Sequence, residues 1–281
     1  TSQIGSFMKK IYGKHYSKSA ISNITSSFSD QMEQWRNRSL ERRYLVVYID
    51  AIHLKIRRET VSSEAFYVLL GVKEDYTREV LGIVNIPSES AAGWKQVLQN
   101  IQQRGVQKIG LIVSDNLTGL DQIIPLVYKN TRHQKCVVHL KRSILNKVSA
   151  KDKLEVAQDL KEVFNLENSN DNIEKAIDRL HVFSSKWRKK YRHIGNLDKN
   201  EMNELYFTYL LYHPKIWRMI YTTNWIERLN KDFRRTFKIR NSMPNYQSAL
   251  TLISKVAMDK EDTYFKYPIY SFKFDRKLNN I

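Results

Sequence analysis

The chain of 281 residues is 42% hydrophobic and 11% aromatic, a composition that can build a sizeable core and excludes a wholly disordered protein. Its 47 Lys and Arg exceed its 29 Asp and Glu, and the net charge of +18 indicates a polyanionic partner, above all nucleic acid. The single cysteine excludes an internal disulfide, and no apolar run approaches the roughly 18 residues that a membrane span needs. We therefore expect a cytoplasmic protein with no membrane partner. Because the sequence begins with Thr1 rather than Met, we expect further residues to precede it in the full-length protein.

Residues 1–43 are predicted to form an N-terminal helical DNA-binding segment. Apolar residues at helical spacing over 4–11, a capping residue at Ser17 and another at Ser29 or Asp30 predict three short helices. Two short helices separated by a tight polar turn are typical of a helix-turn-helix, so we interpret the segment as helix-turn-helix-like. The alternative is an ordinary helical cap on the core. The residues expected to reach base edges are Lys18, Ser22 and Asn23.

From Tyr44 onward the apolar residues recur with a period of two, which marks the start of a strand-rich stretch. The apolar run from Tyr44 to Ile49 is predicted as the first strand, ending at Asp50. Residues 64–72 and 79–86 are predicted as two further strands. Together the three strands form an antiparallel meander.

Helices and strands then alternate. A helix opened by Pro87 and Ser88, a fourth strand that ends at Asp115, a helix over 117–129 and a fifth strand around Cys136 follow in order. This order predicts an α/β protein with a mixed five-stranded sheet and flanking helices. It resembles the ribonuclease H-like architecture, in which the later strands join through right-handed helical crossovers.

The rest of the chain is predicted to be helical. A helical insertion separates the first part of the core from the part that completes it. Residues 44–140 form the first part of the core, and residues 141–216 form an all-helical insertion with apolar stripes, one of them beginning at Leu154. Residues 217–281 complete the core with a helix over 222–238, a last helix from Tyr246 to Lys260 and a tail. The aromatic rings of the tail are expected to pack on the body.

Three acidic residues form the candidate catalytic constellation. Asp50 and Asp115 end two strands that are neighbours in such a sheet, so their carboxylates are expected to meet at one edge. Two close carboxylates repel unless a cation neutralises them, and hard oxygen ligands select Mg²⁺ or Mn²⁺. Glu227, on a basic helix face, is the candidate third ligand of a two-metal site. The alternatives are that each Asp caps a turn and that Glu227 forms a salt bridge with Lys231.

Four motifs in a fixed order resemble those of Mutator-type bacterial transposases, the insertion sequence 256 family. Residues 50–57 (DAIHLKIR) resemble the first-acid motif, and Val113-Ser114-Asp115 resembles the second. Residues 136–139 (CVVH) resemble the family's C-x-x-H signature, and residues 222–230 (TTNWIERLN) resemble the third-acid helix. Four independent motifs make the resemblance specific.

The resemblance implies a DDE transposase with a ribonuclease H-like core and an all-helical insertion. It implies that Asp50, Asp115 and Glu227 are catalytic and hold two Mg²⁺ ions, with Mn²⁺ as a substitute, and that His139 lies near the active site. Such an enzyme cleaves transposon-end double-stranded DNA at terminal inverted repeats and transfers the strand to target DNA. We expect a homodimer on DNA, in the bacterial cytoplasm at the nucleoid. The alternative functions are a ribonuclease H-like DNA nuclease and a non-catalytic, transposase-derived DNA-binding protein.

Two further groups of residues have open interpretations. His139 is either a catalytic residue or a satisfied core histidine, and with a single cysteine a structural zinc site is not expected. The basic and aromatic cluster over 186–192 is either a phosphate-contacting surface or a solvated helix face. The remaining residues predicted to contact DNA are Lys55, Arg57, Arg142, Arg188, Lys189, Arg228, Lys231, Arg234, Arg235, Lys238 and Arg240.

Overall fold

The structure, a computed structural model, describes residues 17–57, 59–86, 89–199, 201–238 and 242–279. Its centre is a five-stranded sheet in the order β3-β2-β1-β4-β5. The strands are β1 (Arg43–Arg57), β2 (Val61–Val72), β3 (Arg78–Asn85), β4 (Lys108–Ser114) and β5 (Arg132–Lys135). The first three strands pair antiparallel, and β4 and β5 run parallel to β1. The predicted α/β fold with a mixed five-stranded sheet is confirmed, and it is compatible with a ribonuclease H-like fold.

Helices flank the sheet and account for most of the remaining chain. They are α1 (Lys18–Asn37), α2 (Ala91–Gln103), α3 (Leu120–Val127), α4 (Val137–Asn146), α5 (Lys153–Val163), α6 (Ile173–Trp187), α7 (Arg192–Gly195), α8 (Pro214–Ile220), α9 (Asn224–Phe237), α10 (Tyr246–Lys260) and α11 (Arg276–Asn279). Short 3₁₀ turns occupy Asn196–Lys199, Glu201–Tyr206, Thr208–Leu211 and Tyr270–Phe274. A π-helical turn, Glu261–Phe265, extends α10.

Each face of the sheet carries its own apolar core because side chains alternate along a strand. From β1, Val47 and Ile49 enter the core that contains α2 and α3. Tyr48 and Ile52 enter the other core, which contains helices α4 to α10. Asp50 belongs to this second series, so its carboxylate is directed toward the face covered by α9.

The first strand is longer than predicted. β1 does not end at Asp50 but continues to Arg57, because β2 pairs with it over its whole second half, from Asp50↔Val68 to Arg57↔Val61. The parallel pairing of β1 with β4 does stop at Ile49↔Ser114. Asp50 therefore marks the end of one ladder but not the end of the strand.

The fifth strand and the following helix were predicted in the wrong places. The strand is Arg132–Lys135, and Cys136 is the N-cap of α4. The apolar run that suggested a strand instead begins a helix, with Val137 and Ile144 on its buried side. β5 is short and polar in sequence, and it is held in the sheet by its ladder to β4.

The predicted succession of short N-terminal helices is also wrong where the structure describes it. α1 is one helix of 20 residues, so the turn expected near Ser29 and Asp30 is helical. No glycine or proline interrupts residues 18–37, and Ser17 alone caps this helix by accepting a bond from the Ala20 amide. The first predicted helix, over 4–11, lies outside the described residues.

Helices α2, α3 and α5 differ from the prediction in their first residue or in the residues that they bury. α2 begins at Ala91 with Ser90 as its cap rather than at residues 87 and 88, which lie outside the described residues. α3 is shorter than the predicted 117–129 and begins after Gly119, whose φ of 81° suits glycine. The buried stripe of α5 runs through Val156 and Leu160, and Leu154 is 73% exposed.

Helices α9 and α10 are close to the prediction, whereas the tail agrees with it only in part. α10 has the predicted bounds, and α9 begins two residues later than expected. In the tail, Phe265 and Phe272 pack into the core as expected. Tyr264, Tyr267 and Tyr270 do not, because their rings are exposed to solvent.

Candidate active site

The sheet brings the two strand-end acids side by side. Ile49 and Ser114 are paired in the parallel ladder of β1 and β4, and each precedes one of the acids. The Asp50 side chain is buried, with Oδ1 accepting the Ala51 amide at 2.9 Å and Oδ2 accepting Asn230 Nδ2 at 2.8 Å. Asp115 is more open, and its Oδ1 accepts the Asn116 amide at 2.7 Å. The alternative of a turn-capping role does not apply to Asp50, since β1 continues past it and both of its oxygens accept hydrogen bonds. At Asp115 the Asn116 amide occupies only Oδ1, and Oδ2 is directed toward His139.

Helix α9 brings Glu227 to the same place. Glu227 lies in the first turn of α9, and its Oε1 accepts a weak bond from the Thr223 hydroxyl at 3.4 Å. Asn230, one turn further on, contacts Asp50, so α9 is anchored against β1 beside the acid. Among the ion pairs of the described residues, Glu227 contacts His139 and not Lys231.

His139 lies between two of the acids. Its Nδ1 is 3.7 Å from Asp115 Oδ2, and its Nε2 is 3.7 Å from Glu227 Oε1. The interaction with the Cys136 thiol and the nearby carboxylates of Asp115 and Asp50 raise the pKa of His139 to about 9, although burial opposes the rise. A pKa in this range keeps the imidazole protonated at neutral pH, and the imidazole contacts both acids while only partly buried.

The Cys136 thiol lies next to His139 and interacts with its imidazole. Burial alone would raise the pKa of the Cys136 thiol, but interactions with His139 and Thr223 lower it on balance. Thr223 Oγ1 lies 3.5 Å from the Cys136 sulfur and 3.5 Å from His139 Nδ1. The residues of the C-x-x-H segment thus fix the imidazole between the carboxylates.

The acid cluster is chemically suited to hard divalent cations. Burial raises the pKa of Asp50 to about 6, and the nearby Glu227 adds to the rise while His139 and Asn230 oppose it. A cation bound to oxygen ligands would relieve both the burial cost and the repulsion between carboxylates. In the described ranges, no three His, Cys, Asp or Glu side chains are grouped closely enough to hold a metal ion. The imidazolium of His139 instead supplies the positive charge between the acids.

A basic cleft lies along α9 beyond Glu227. Its volume is about 490 Å³, and it is bounded by β1, α9 and residues 242–243. Among the described residues, no acidic side chain lines it. The predicted DNA-contacting residues that it brings together are Lys55, Lys231, Arg234, Arg235 and Lys238.

The other predicted DNA contacts do not line this cleft. Ser22 and Asn23 are exposed on α1, Arg57 is exposed at the end of β1, and Lys189 is exposed beyond α6. Arg188 donates to Ser185 and Arg228 lies over the Trp225 ring, whereas Arg142 lines a separate pocket with Asp115 and His139. The Lys18 side chain and Arg240 are outside the described residues.

Part of the basic and aromatic cluster is engaged within the protein. Lys186 pairs with Glu155 and Asp159, and Lys190 pairs with Asp152. These contacts hold α6 and the turn after it against α5. They favour the solvated-face interpretation for these two lysines.

Sequence reasoning missed Asn230 as a site residue. Its side chain is fully buried on the same face as Ile226, Leu229 and Phe233. A lone amide within an otherwise apolar helical stripe is the signal that could have identified it, because a buried polar group needs a partner.

The sheet order and the flanking helices define an α/β protein whose architecture is compatible with a ribonuclease H-like fold. The sequence profile described as "Transposase, Mutator family" matches residues 1–267. The chain therefore belongs to the Mutator family of transposases.

Three relatives illustrate the similarity. The transposase for insertion sequence element IS905 of Lactococcus lactis is 34% identical over 248 residues, which cover 88% of this chain and 62% of that protein. The transposase for IS1201 of Lactobacillus helveticus is 33% identical over 92% of this chain and 69% of the relative. The transposase for IS256 in transposon Tn4001 of Staphylococcus aureus is 28% identical over 98% of this chain and 70% of the relative. The chain thus spans about two thirds of the length of these proteins. Among the described residues, no helix has the length and apolar character to cross a membrane.

Proposed function

We propose that the protein is a DNA transposase that cleaves the ends of an insertion sequence and joins them to target DNA. The observation that carries the proposal is that Asp115 and Glu227 both contact His139 while Asp50 is bonded to the helix of Glu227 through Asn230, beside a cleft whose described lining holds five cations and no acid. Membership of the Mutator transposase family supports it.

To hold two Mg²⁺ ions, which Mn²⁺ could replace, the three carboxylates would have to lie closer together than they do within the described residues. Bound there, the ions would activate the attacking oxygen and stabilise the charge that develops on the leaving 3′ oxygen. Asn230 keeps the buried Asp50 carboxylate oriented through a 2.8 Å bond. His139 holds a proton between Asp115 and Glu227, and it can donate an N–H bond to a phosphate oxygen of the substrate.

The basic cleft binds the DNA backbone in this proposal. Four of its five cations lie on α9 or at its C-cap, one to three turns beyond Glu227, and Lys55 lies on β1, so a strand that follows the cleft would bring a phosphodiester to the acids. The proposed substrates are transposon-end double-stranded DNA and target DNA. A homodimer on DNA would match the two ends of the element, and the reaction would take place in the bacterial cytoplasm, at the nucleoid.

The test is a cleavage and strand-transfer assay on duplexes that carry the ends of the element, with Mg²⁺ or Mn²⁺. Asp50→Asn, Asp115→Asn and Glu227→Gln should each lower both activities by at least about 100-fold, because each removes a proposed metal-binding charge. Glu167→Gln is the matched control, since this acid is exposed between α5 and α6 and should leave the rates unchanged.

Two results would contradict the proposal. Hydrolysis of a pre-cut end without any joined product would favour a nuclease of the same fold. Full activity of the Asp50→Asn variant would exclude a catalytic role for this site.

A further inference from the structure

A second pocket opens at the candidate acids and shares no lining residue with the basic cleft. Asp115 and His139 form one end of it, and its volume is about 460 Å³. It is bounded by α4, by the turn after β4 and by Tyr206 at the end of a 3₁₀ helix. We refer to it as the α4 pocket.

One face of α4 runs from the acids into this pocket. His139, Arg142, Ser143 and Asn146 are spaced at i, i+3, i+4 and i+7, so they share a helix face that extends about 10 Å. Arg142, Ser143 and Asn146 are exposed, and their side chains make no hydrogen bond or ion pair within the described part of the chain. Their donors and acceptors are available to a ligand.

The far wall of the pocket is firmly held. Tyr206 is buried, and its backbone carbonyl accepts a bond from Gln134 Nε2 at 3.0 Å. Gln134 Oε1 in turn accepts the Tyr209 amide at 2.6 Å. These bonds fix the segment that carries Tyr206 to β5, so the pocket is organised before any ligand binds.

The two depressions beside the acids differ in their chemistry. The basic cleft offers five cations, the groups that bind phosphates without regard to sequence. Beyond Asp115 and His139 at its end, the α4 pocket offers the Arg142 guanidinium together with the amides of Asn116 and Asn146 and the hydroxyls of Ser143 and Tyr206. Arginine, amides and hydroxyls are the groups that distinguish base edges, with Arg favouring guanine and Asn favouring adenine.

We propose that the α4 pocket reads the base edge of a nucleotide that adjoins the scissile linkage, with Arg142 and Asn146 as the specificity-determining residues. The proposal rests on the proposed transposase function and deepens it. The basic cleft supplies affinity that is independent of sequence, and the α4 pocket selects the nucleotide that lies at the acids. The nucleotide belongs either to the end of the element or to the target DNA.

The test is strand transfer with a library of pre-cut duplexes whose last three base pairs are randomised, joined to a plasmid in Mg²⁺ or Mn²⁺. Sequencing of the joints gives the base preference of the wild-type protein at the donor end and at the target separately. Arg142→Ala and Asn146→Ala should each reduce the preference at one or two adjoining positions by about 10-fold. Both residues are exposed, and thermal unfolding of the variants checks that the fold is unchanged.

Lys231→Ala, in the basic cleft, is the matched control. It should weaken binding to all sequences alike and reduce the salt dependence, while the base preference stays as in the wild type. The inference is overturned if Arg142→Ala and Asn146→Ala retain the wild-type preference, or if the wild type joins ends with no preference at these positions. A wild type that neither cleaves nor joins DNA would instead refute the proposed function, and the inference with it.

Discussion

Asn230 links the buried first acid to the helix of the third. Its Nδ2 donates to Asp50 Oδ2 at 2.8 Å, while its own Oδ1 is buried and has no partner in the part of the chain that the structure describes. An amide that gives up one hydrogen bond inside a core is retained at a cost in stability. We interpret Asn230 as a positioning residue that acts through Asp50.

Asn230→Ala should lower cleavage about 10- to 100-fold, the range typical of groups that orient metal-binding carboxylates. The concentration of Mg²⁺ that gives half-maximal activity should rise, which a purely structural defect would not produce. The exposed Asn170→Ala is the control. An unchanged Mg²⁺ dependence in Asn230→Ala would refute the positioning role.

His133 is a buried histidine that contacts Ser114, the residue before Asp115, and it makes the free energy of unfolding depend on pH. His133 Nε2 contacts the Ser114 hydroxyl at 2.8 Å, and that hydroxyl donates to the Asp115 carbonyl at 2.7 Å. Burial, aided by the charge of Lys135, lowers the pKa of His133 to about 3. The folded protein therefore keeps His133 neutral at a pH at which the unfolded chain would protonate it.

The unfolding free energy should accordingly fall as the pH decreases from about 6.5, the ordinary pKa of histidine, toward 3. The unfolded state binds one more proton in this window, which corresponds to a slope of about 1.4 kcal/mol per pH unit from this residue. Urea unfolding of the wild type and of His133→Gln at several pH values measures the difference. Equal slopes for the two proteins would contradict the assignment.

At the scale of elements, a single carboxylate joins three parts of the chain. Glu261, at the end of α10, accepts bonds from Trp35 Nε1 at 2.9 Å, from Arg38 at 2.9 Å and from the Val80 amide at 2.6 Å. These contacts attach the end of α1 to β3 and to α10. Burial raises the pKa of Glu261 despite the opposing charge of Arg38.

Glu261→Ala should lower the unfolding free energy by about 3 kcal/mol, because it leaves a half-buried guanidinium and a backbone amide without their partner. Asp262→Ala is the matched control, since this neighbouring acid is exposed. Denaturant unfolding of both variants measures the effect. Similar stabilities for the two would show that the Glu261 contacts contribute little.

The sequence predicted those elements whose signals are local. The bounds of α10 follow from a cap at Asn245 and an apolar stripe, and both are visible in the sequence. The true length of β1 depends on pairing with β2, although the alternation of apolar Ile52, Leu54 and Ile56 with polar residues did indicate it. The place of β5 could not be predicted, because its ladder to β4 outweighs its polar sequence.

The same distinction applies to the candidate site. The three acids could be proposed from motif order and from the apolar runs that precede Asp50 and Asp115, since these are features of the sequence, although β1 continues past Asp50. The contacts of His139 and Asn230 could not, because they depend on how α4 and α9 pack against the sheet.

At the scale of the whole molecule, some basic side chains form ion pairs with acidic side chains and others do not. Lys186, Lys190 and Arg179 are paired with acids. Of the five cations that line the basic cleft, Arg235 has an ion pair with Asp232 at 3.9 Å, and the other four have none within the described part of the chain. Cations without an acidic partner bind polyanions through the release of counterions.

DNA binding should therefore weaken steeply with salt, and Lys231→Ala should reduce the slope of log K against log salt by about 0.9. Lys95→Ala, on α2 at the opposite face of the sheet, is the control with the same change of net charge. Affinity measurements between low and physiological salt test this. Equal slopes for the two variants would show that DNA does not follow the cleft.

The bond between Asp50 and Asn230 joins residues 180 positions apart in the chain. During synthesis, the strands that carry Asp50 and Asp115 emerge long before the helix that carries Glu227. A nascent or prematurely terminated polypeptide would thus possess two of the three acids and lack the proposed cutting activity. The order of the chain would in this way protect the host chromosome from incomplete copies of the protein.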